Sequence, residues 1–415
     1  MSSPGTLVVG AGQAGVQLAL SLREAGYDKP ITLVGDEPHL PYQRPPLSKA
    51  YLKGDVAEGS ILLRAPKVLD DKRIEVIVGE RVEHLALDGD GPSGVAHTVG
   101  GRALAFERLA LAVGAEARRL SVQGCDLGGV HYLRNLGEAH RLRGDLLDAQ
   151  SVVVVGGGFI GLEAAAVLRG LGKSVTVVEM SDRLIGRAVA PAVSEFYAAA
   201  HRRRGVELRF GAQVVAVDGQ QGRVIGVQLD DNSCLTADLV VVGIGVVPDT
   251  SLAEQLSLRC LAGVVVDSYA RTSNPDIVAA GDCTVQPHPL GGAGQVRLES
   301  VQNAVSQAKT AAGALLGVLG RIDPVPWFWS DQFDLKLQIA GLSLGYDTAV
   351  VRGDPAAESF SVVYYRDSRL LAVDAVNAGA DYMAVRKALT IGATIPPEVA
   401  ADGSAALRDH IVAVA

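Results

Sequence analysis

Residues Thr6–Gly26 read TLVVGAGQAGVQLALSLREAG. A short apolar run, Leu7, Val8 and Val9, meets glycines, and apolar residues then recur at Val16, Leu18, Ala19 and Leu22. That pattern is a buried strand, a tight turn and a helix with one apolar face. A second apolar run, ITLVGDE at Ile31–Glu37, completes a β-turn-α-β unit. At the turn, Gly10, Gly12 and Gly15 form GxGxxG. The first glycine permits the turn, the second lets backbone approach a pyrophosphate, and the third lets helix and strand pack closely. Unpaired N–H groups at the helix N-terminus then offer partial positive charge to the phosphates. Asp36, just past the second strand, is placed to accept hydrogen bonds from ribose hydroxyls.

The same grammar returns at Ser151–Met180, SVVVVGGGFIGLEAAAVLRGLGKSVTVVEM, with Gly156 lying 146 residues after Gly10. Gly156, Gly158 and Gly161 repeat the spacing, Ile160 opens the helix and Glu179 closes the second strand. Two nucleotide-binding units therefore share one chain. An acid at Glu179 favours a ribose 2′-hydroxyl over a 2′-phosphate. Coulomb repulsion at contact is worth about 1–4 kcal/mol between bulk water and a protein surface, so NADPH should bind about ten-fold or more worse than NADH. Arg183, four residues on, is expected to offset part of this.

A chain of 415 residues accommodates two to three domains. With 48 glycines and only 5% aromatics, it suits α/β layers joined by tight turns better than a β-sandwich. The net charge of −8 excludes a general nucleic-acid binder. The four cysteines, Cys125, Cys234, Cys260 and Cys283, form no CxxC, so neither a disulfide framework, a zinc site nor a redox dithiol is expected. They are read as buried small hydrophobes. No metal site is expected either, and His288 in QPHP reads as a loop residue. The first glycine motif starts too early for a signal peptide, and no apolar stretch is long enough to span a bilayer, so a cytoplasmic location is expected. No apolar helical stripe is left to spare, and a monomer is expected.

ERLALAVGAEARRL (Glu107–Leu120) and DLVVVGIGVVPDT (Asp238–Thr250, containing Gly245) are apolar strands running into glycine, where the chain can cross between domains. A later strand ends at NPDIVAAGDC (Asn274–Cys283), and SVQNAVSQAKTAAGALLG (Ser300–Gly317) reads as a helix. From Pro326 the character changes. FDLKLQIAG alternates at Phe333, Leu335, Leu337 and Ile339, and FSVVYY passes through RDSR into RLLAVDAV, an antiparallel hairpin. The expected fold class is α/β, with two Rossmann-like dinucleotide-binding domains, which resemble those of the glutathione-reductase kind, and a C-terminal α+β domain. Expected boundaries are 1–112 with 246–325 for the first, 113–245 for the second and 326–415 for the third.

PYQRPPLSKAYLKG (Pro41–Gly54) is rigid and cationic. Prolines at 41, 45 and 46 fix φ and are expected to deny the backbone a helix until Leu47, holding Lys49 toward a site. A cation suits a flavin, whose ring gains negative charge on reduction.

With VVGAGQAG, PPLSKAYL, GGGFIGLE, AAGDC, ESVQNA and WFWSDQ in that order, the chain resembles FAD-dependent ferredoxin reductases of the putidaredoxin reductase type. Those enzymes supply cytochromes P450 or ring-hydroxylating dioxygenases. More distantly it resembles rubredoxin reductase and apoptosis-inducing factor. The resemblance makes the first and discontinuous domain FAD-binding and the second NAD-binding. It implies FAD contacts from Gly12, Ala14, Gly15, Asp36, Arg44, Lys49, Val82, Arg134, Asp282 and Val301, beside Gly10 of the turn. It places Glu163 near Lys49, as an ion pair that positions the lysine beside the flavin, and Trp329 by the ring. The family's usual Ala-Thr-Gly at the first crossing is here Ala112, Val113, Gly114.

The implied activity is hydride transfer from NADH to FAD, then single-electron transfer to a [2Fe–2S] ferredoxin. A basic patch should meet that acidic partner, with Lys309 preferred over Lys336 or the run Arg202, Arg203, Arg204. Rival readings are an NADH oxidase or peroxidase, a signalling flavoprotein like apoptosis-inducing factor, and a disulfide reductase, which lacks its cysteines here.

Overall fold

The computed structural model describes residues 4–89, 91–292, 294–320 and 325–414. It divides into two compact units, one of Met1–Gln43, Glu58–Glu116 and Val247–Pro324, the other of Arg44–Ala57, Ala117–Val246 and Val325–Ala415.

The first unit is built on a five-stranded parallel sheet in the order Ile277–Ala279, Arg108–Leu111, Thr6–Val9, Ile31–Val34, Ile74–Ile77. Its inner strands are largely apolar because both faces are covered, whereas the edge strand Ile74–Ile77 carries the exposed Glu75. Leu7 and Val9 join Leu109, Leu111 and Ile277 on one side, while Val8 joins Leu18, Leu22, Ala308 and Ala311 on the other. That second side carries the helices Gln13–Glu24 and Val301–Leu315. Small residues on the latter, Ala304, Ala308, Ala311 and Ala312, are buried and let the helices approach closely. Ser300 caps it, its hydroxyl accepting from Asn303 N at 3.1 Å.

The second unit holds another five-stranded parallel sheet, in the order Val206–Phe210, Ser174–Glu179, Ser151–Val155, Leu239–Val242, Val130–Tyr132. It also holds an antiparallel sheet, in the order Trp327–Gln332, Leu335–Gly341, Arg369–Val376, Ser359–Arg366, Thr348–Asp354. The hairpin read at RDSR is present. Asp367 (φ 49°) and Ser368 (φ 60°) are both left-handed, as a two-residue turn matching the strand twist requires.

Three local readings are corrected. Phe333 does not alternate within a strand: at φ 57° it makes the turn between Trp327–Gln332 and Leu335–Gly341. Pro45 and Pro46 open a 3₁₀ turn, Pro45–Ser48, rather than delaying one, because the first helical positions need no N–H donor. Of the cysteines only Cys283 is buried; Cys234 is exposed, and Cys125 and Cys260 are intermediate. Among the described residues no helix is long and apolar enough to cross a membrane.

Candidate dinucleotide sites and a buried ion pair

The first unit carries Gly10, Gly12, Ala14, Gly15, Asp36, Val82, Asp282 and Val301. Gly10 has φ +109°, and a Cβ there would lie 2.1 Å from the Ala112 carbonyl oxygen. A Cβ at Gly15 would lie 1.9 Å from the Gly10 oxygen. Both glycines are therefore demanded by the fold. Gly12 is not: its φ of −89° suits any residue, and among the described residues nothing lies within 4 Å of the Cβ position. It borders open space at the N-terminus of helix Gln13–Glu24, a cradle that fits a pyrophosphate. Asp36 is exposed beyond the second strand, while neighbouring Glu37 accepts the Tyr42 hydroxyl at 2.5 Å.

The turn before Asp282 is seated between both helices, since a Cβ at Gly281 would meet Ala14 Cβ at 3.1 Å and Ala304 Cβ at 3.9 Å. This brings Ala14, Asp282 and the helix start at Val301 into one neighbourhood. Gln307, which the sequence did not single out, fastens it by accepting the Gly281 amide at 2.8 Å. The Val82 side chain lies in the core, which leaves only its backbone for a ligand. Val113 packs against the same core, where a threonine hydroxyl would need a partner.

The second unit carries the other nominated residues. Gly156 has φ +107° and its Cβ would lie 2.5 Å from Gly243 O, and that of Gly161 would lie 2.0 Å from Gly156 O. Gly158, at φ −80°, again has nothing within 4 Å. Ile160 in the first helical turn is 43% exposed, a large apolar side chain left at the mouth of the cradle. Glu179 is held at the lip, Oε2 accepting from Gly157 N at 2.6 Å and Oε1 from Ser181 N at 2.7 Å. Gly245 (φ +98°) closes the turn after Leu239–Val242, its oxygen accepting from Arg118 N at 2.9 Å. Arg183 is folded back instead of reaching out. It donates to Val189 O at 2.8 Å, to Ser194 Oγ at 3.2 Å and to Gly186 O, so its offset of the Glu179 charge is not supported.

Lys49 and Glu163, 114 residues apart, form an ion pair with Nζ 2.5 Å from Oε2. Glu163 is 2% exposed. Burying a charge is costly unless it is paired and hydrogen-bonded. This carboxylate takes two further donors: Ser48 Oγ reaches Oε2 at 2.6 Å and Ser330 Oγ reaches Oε1 at 2.7 Å. Ser48 lies in PPLSKAYL and Ser330 in WFWSDQ, but neither motif singles out its serine. Arg44 donates to the Arg134 carbonyl at 2.7 Å, which joins two more nominated residues. Trp329 is half-buried, 5.5 Å from Trp327 and 6.3 Å from Phe328 between ring centres. Of the arginine run, Arg203 and Arg204 are engaged with Glu358, which they hold down to about 2, and Arg204 also pairs with Asp334 at 2.7 Å.

Residues 5–308 match the family model described as pyridine nucleotide-disulphide oxidoreductase. The chain belongs to that family. Residues 327–411 match a reductase C-terminal domain. Rhodocoxin reductase of Rhodococcus erythropolis is 46% identical over 396 residues, covering 95% of this chain and 92% of that protein. The ferredoxin reductase for the CYP199A2 system of Rhodopseudomonas palustris aligns with a TM-score of 0.93 at 42% identity, over 98% of this chain and 99% of that one. Putidaredoxin reductase in its covalent complex with putidaredoxin aligns with a TM-score of 0.93 at 37% identity, over 99% and 98% of the two chains. The membership agrees with the resemblance read from the motifs, and the fold class is that of the relatives.

Proposed function

We propose that this family member is an NADH-dependent ferredoxin reductase of the cytoplasm. The observation that carries the reading is the pair of GxGxxG cradles, each with a middle glycine that neither backbone nor packing requires. FAD, when bound, supplies the step from a two-electron donor to a one-electron acceptor. In this reading 1–112 with 246–325 bind FAD and 113–245 bind NADH, leaving 326–415 as a third domain. Gly10, Gly12 and Gly15 receive the FAD pyrophosphate, Asp36 its ribose, Asp282 the ribityl chain, and the Val301 helix start faces the ring. Val82 contributes backbone; Arg44 and Arg134 are assigned on the resemblance. Gly156, Gly158, Ile160, Gly161 and Gly245 take NADH, with Glu179 on the ribose. Lys49, paired with Glu163, and Trp329 are assigned to the flavin on the resemblance alone.

The acceptor is a [2Fe–2S] ferredoxin serving a cytochrome P450 or a ring-hydroxylating dioxygenase; the similar ferredoxin reductase for the CYP199A2 system supports the ferredoxin and the P450, and the motif resemblance carries the rest. Encounters of this kind are small and weak, which suits a monomer with one charged patch. Anaerobic titration of the purified yellow protein with NADH and NADPH tests the cofactor half. NADH should bleach it at stoichiometric addition. Cytochrome c reduction should then depend on added [2Fe–2S] ferredoxin. Rapid NADH consumption in air without ferredoxin would instead identify an oxidase.

A further inference from the structure

We propose that Ser330 is a positioning residue for the Lys49–Glu163 pair, aiming the glutamate carboxylate and through it the lysine ammonium. The proposal rests on the reading of Lys49 as the cation beside the flavin. Lys49 and Ser48 both bind Oε2 of Glu163, which by itself leaves the carboxylate able to swing about that oxygen. Ser330 binds Oε1 and removes that freedom. It is fully buried, so bulk solvent does not compete with it for Oε1.

The donor direction is set from behind. Gln332 Nε2 donates to Ser330 Oγ at 3.2 Å, which leaves the serine proton for Glu163. Gln332 Oε1 lies 2.9 Å from His201 Nε2, which orients the amide. Gln332 and His201 are fully buried too. Burial holds His201 down to about 4, so the imidazole is neutral at neutral pH and donates from Nε2. His201, Gln332 and Ser330 thus form a chain of donors ending on the carboxylate opposite Lys49.

The test compares wild type with Ser330→Ala, Ser330→Thr, Lys49→Met and the double variant Lys49→Met/Ser330→Ala. It uses rapid anaerobic reduction by NADH and equilibrium measurement of the flavin potential. Loss of one hydrogen bond to a buried charged group should slow the limiting reduction rate about ten-fold. The potential should become more negative, while NADH affinity stays within about two-fold. Ser330→Thr keeps the hydroxyl and should keep rate and potential. In the Lys49→Met background Ser330→Ala should cost nothing further, because the residue it acts through is gone. A Ser330→Ala protein reduced like wild type, an equal loss in the threonine variant, or full additivity with Lys49→Met overturns the proposal. If Lys49→Met itself has normal rate and potential, the placement of Lys49 fails and the role of Ser330 falls with it. Should the alanine variant not fold, Ser330→Cys, with a weak donor, carries the same comparison against threonine.

Discussion

Substituting alanine separately at Gly158 and Gly161 separates a glycine kept for a ligand from one kept for the fold. At Gly161 the new Cβ would sit 2.0 Å from the Gly156 oxygen and 3.2 Å from its carbon. Strand and helix must part to admit it, at a cost of about 1–3 kcal/mol or more. At Gly158 the backbone is extended (φ −80°, ψ −179°) and the Cβ position is open. Alanine there gains about 0.4–1 kcal/mol by restricting the unfolded chain. It loses a comparable amount, about 0.5–1 kcal/mol, as a poorer N-cap than glycine. The net change is near zero. NADH affinity should nevertheless fall at least about ten-fold, or 1.4 kcal/mol, because the methyl stands where backbone must approach the pyrophosphate. Urea unfolding without NADH measures the first quantity, and saturation of anaerobic flavin reduction measures the second. The bound FAD should remain in the Gly158 variant, since the reading places it in the other cradle. If Gly158→Ala destabilises as much as Gly161→Ala, or binds NADH like wild type, the cradle argument is wrong.

Glu179→Ala should raise NADPH efficiency relative to NADH by about ten-fold. With Arg183 committed to its own loop the gain should stop there, and a much larger swing in kcat/KM would mean that Arg183 turns outward. Lys309 is exposed on the helix that begins at Val301, and Lys309→Glu should raise the KM for ferredoxin without changing NADH oxidation by a small dye. Equal changes in both rates would place the partner elsewhere. Burial pushes Asp374 up to about 7 from an ordinary 3.8, with Tyr364 donating to it and Ala190 N donating to Tyr364 at 2.9 Å. The folded state therefore holds a proton that the unfolded state has released, and stability falls as pH rises from about 4 to about 7. Asp374→Asn should remove that slope, on the order of 4 kcal/mol, and be the more stable protein at pH 8; an unchanged slope in urea unfolding against pH would count against a protonated Asp374.

The parts legible in the sequence are those whose causes are local. A strand flanked by GxGxxG and a helix is decided within about twenty residues, because the turn and the strand–helix contact both act on neighbouring backbone. The RDSR hairpin was legible for the same reason. Arg183 was not, since four residues of separation say nothing about a loop that curls to offer the Gly186 and Val189 carbonyls. Phe333 was misread because its place in the alternation is also the place of the turn. There the left-handed backbone is tolerated with the ring packed 5.1 Å from His201.

The segment WFWSDQ shows what a finer reading of alternation could recover. A strand sends Phe328, Ser330 and Gln332 to one face, and Trp327, Trp329 and Asp331 to the other. The tryptophans draw attention, yet they are only half-buried, whereas Ser330 and Gln332 are wholly enclosed. A strand whose serine and glutamine point inward while its tryptophans point outward inverts the usual pattern. Burying such groups is unfavourable unless something inside must be hydrogen-bonded. Here that something is the Glu163 carboxylate, itself buried only because Lys49 and two serines satisfy it. The inversion therefore announces a buried charge in the neighbouring layer, though nothing in the strand says which residue carries it. That information lies 167 residues away and becomes visible only when the sheet is folded against the helix Phe159–Gly170.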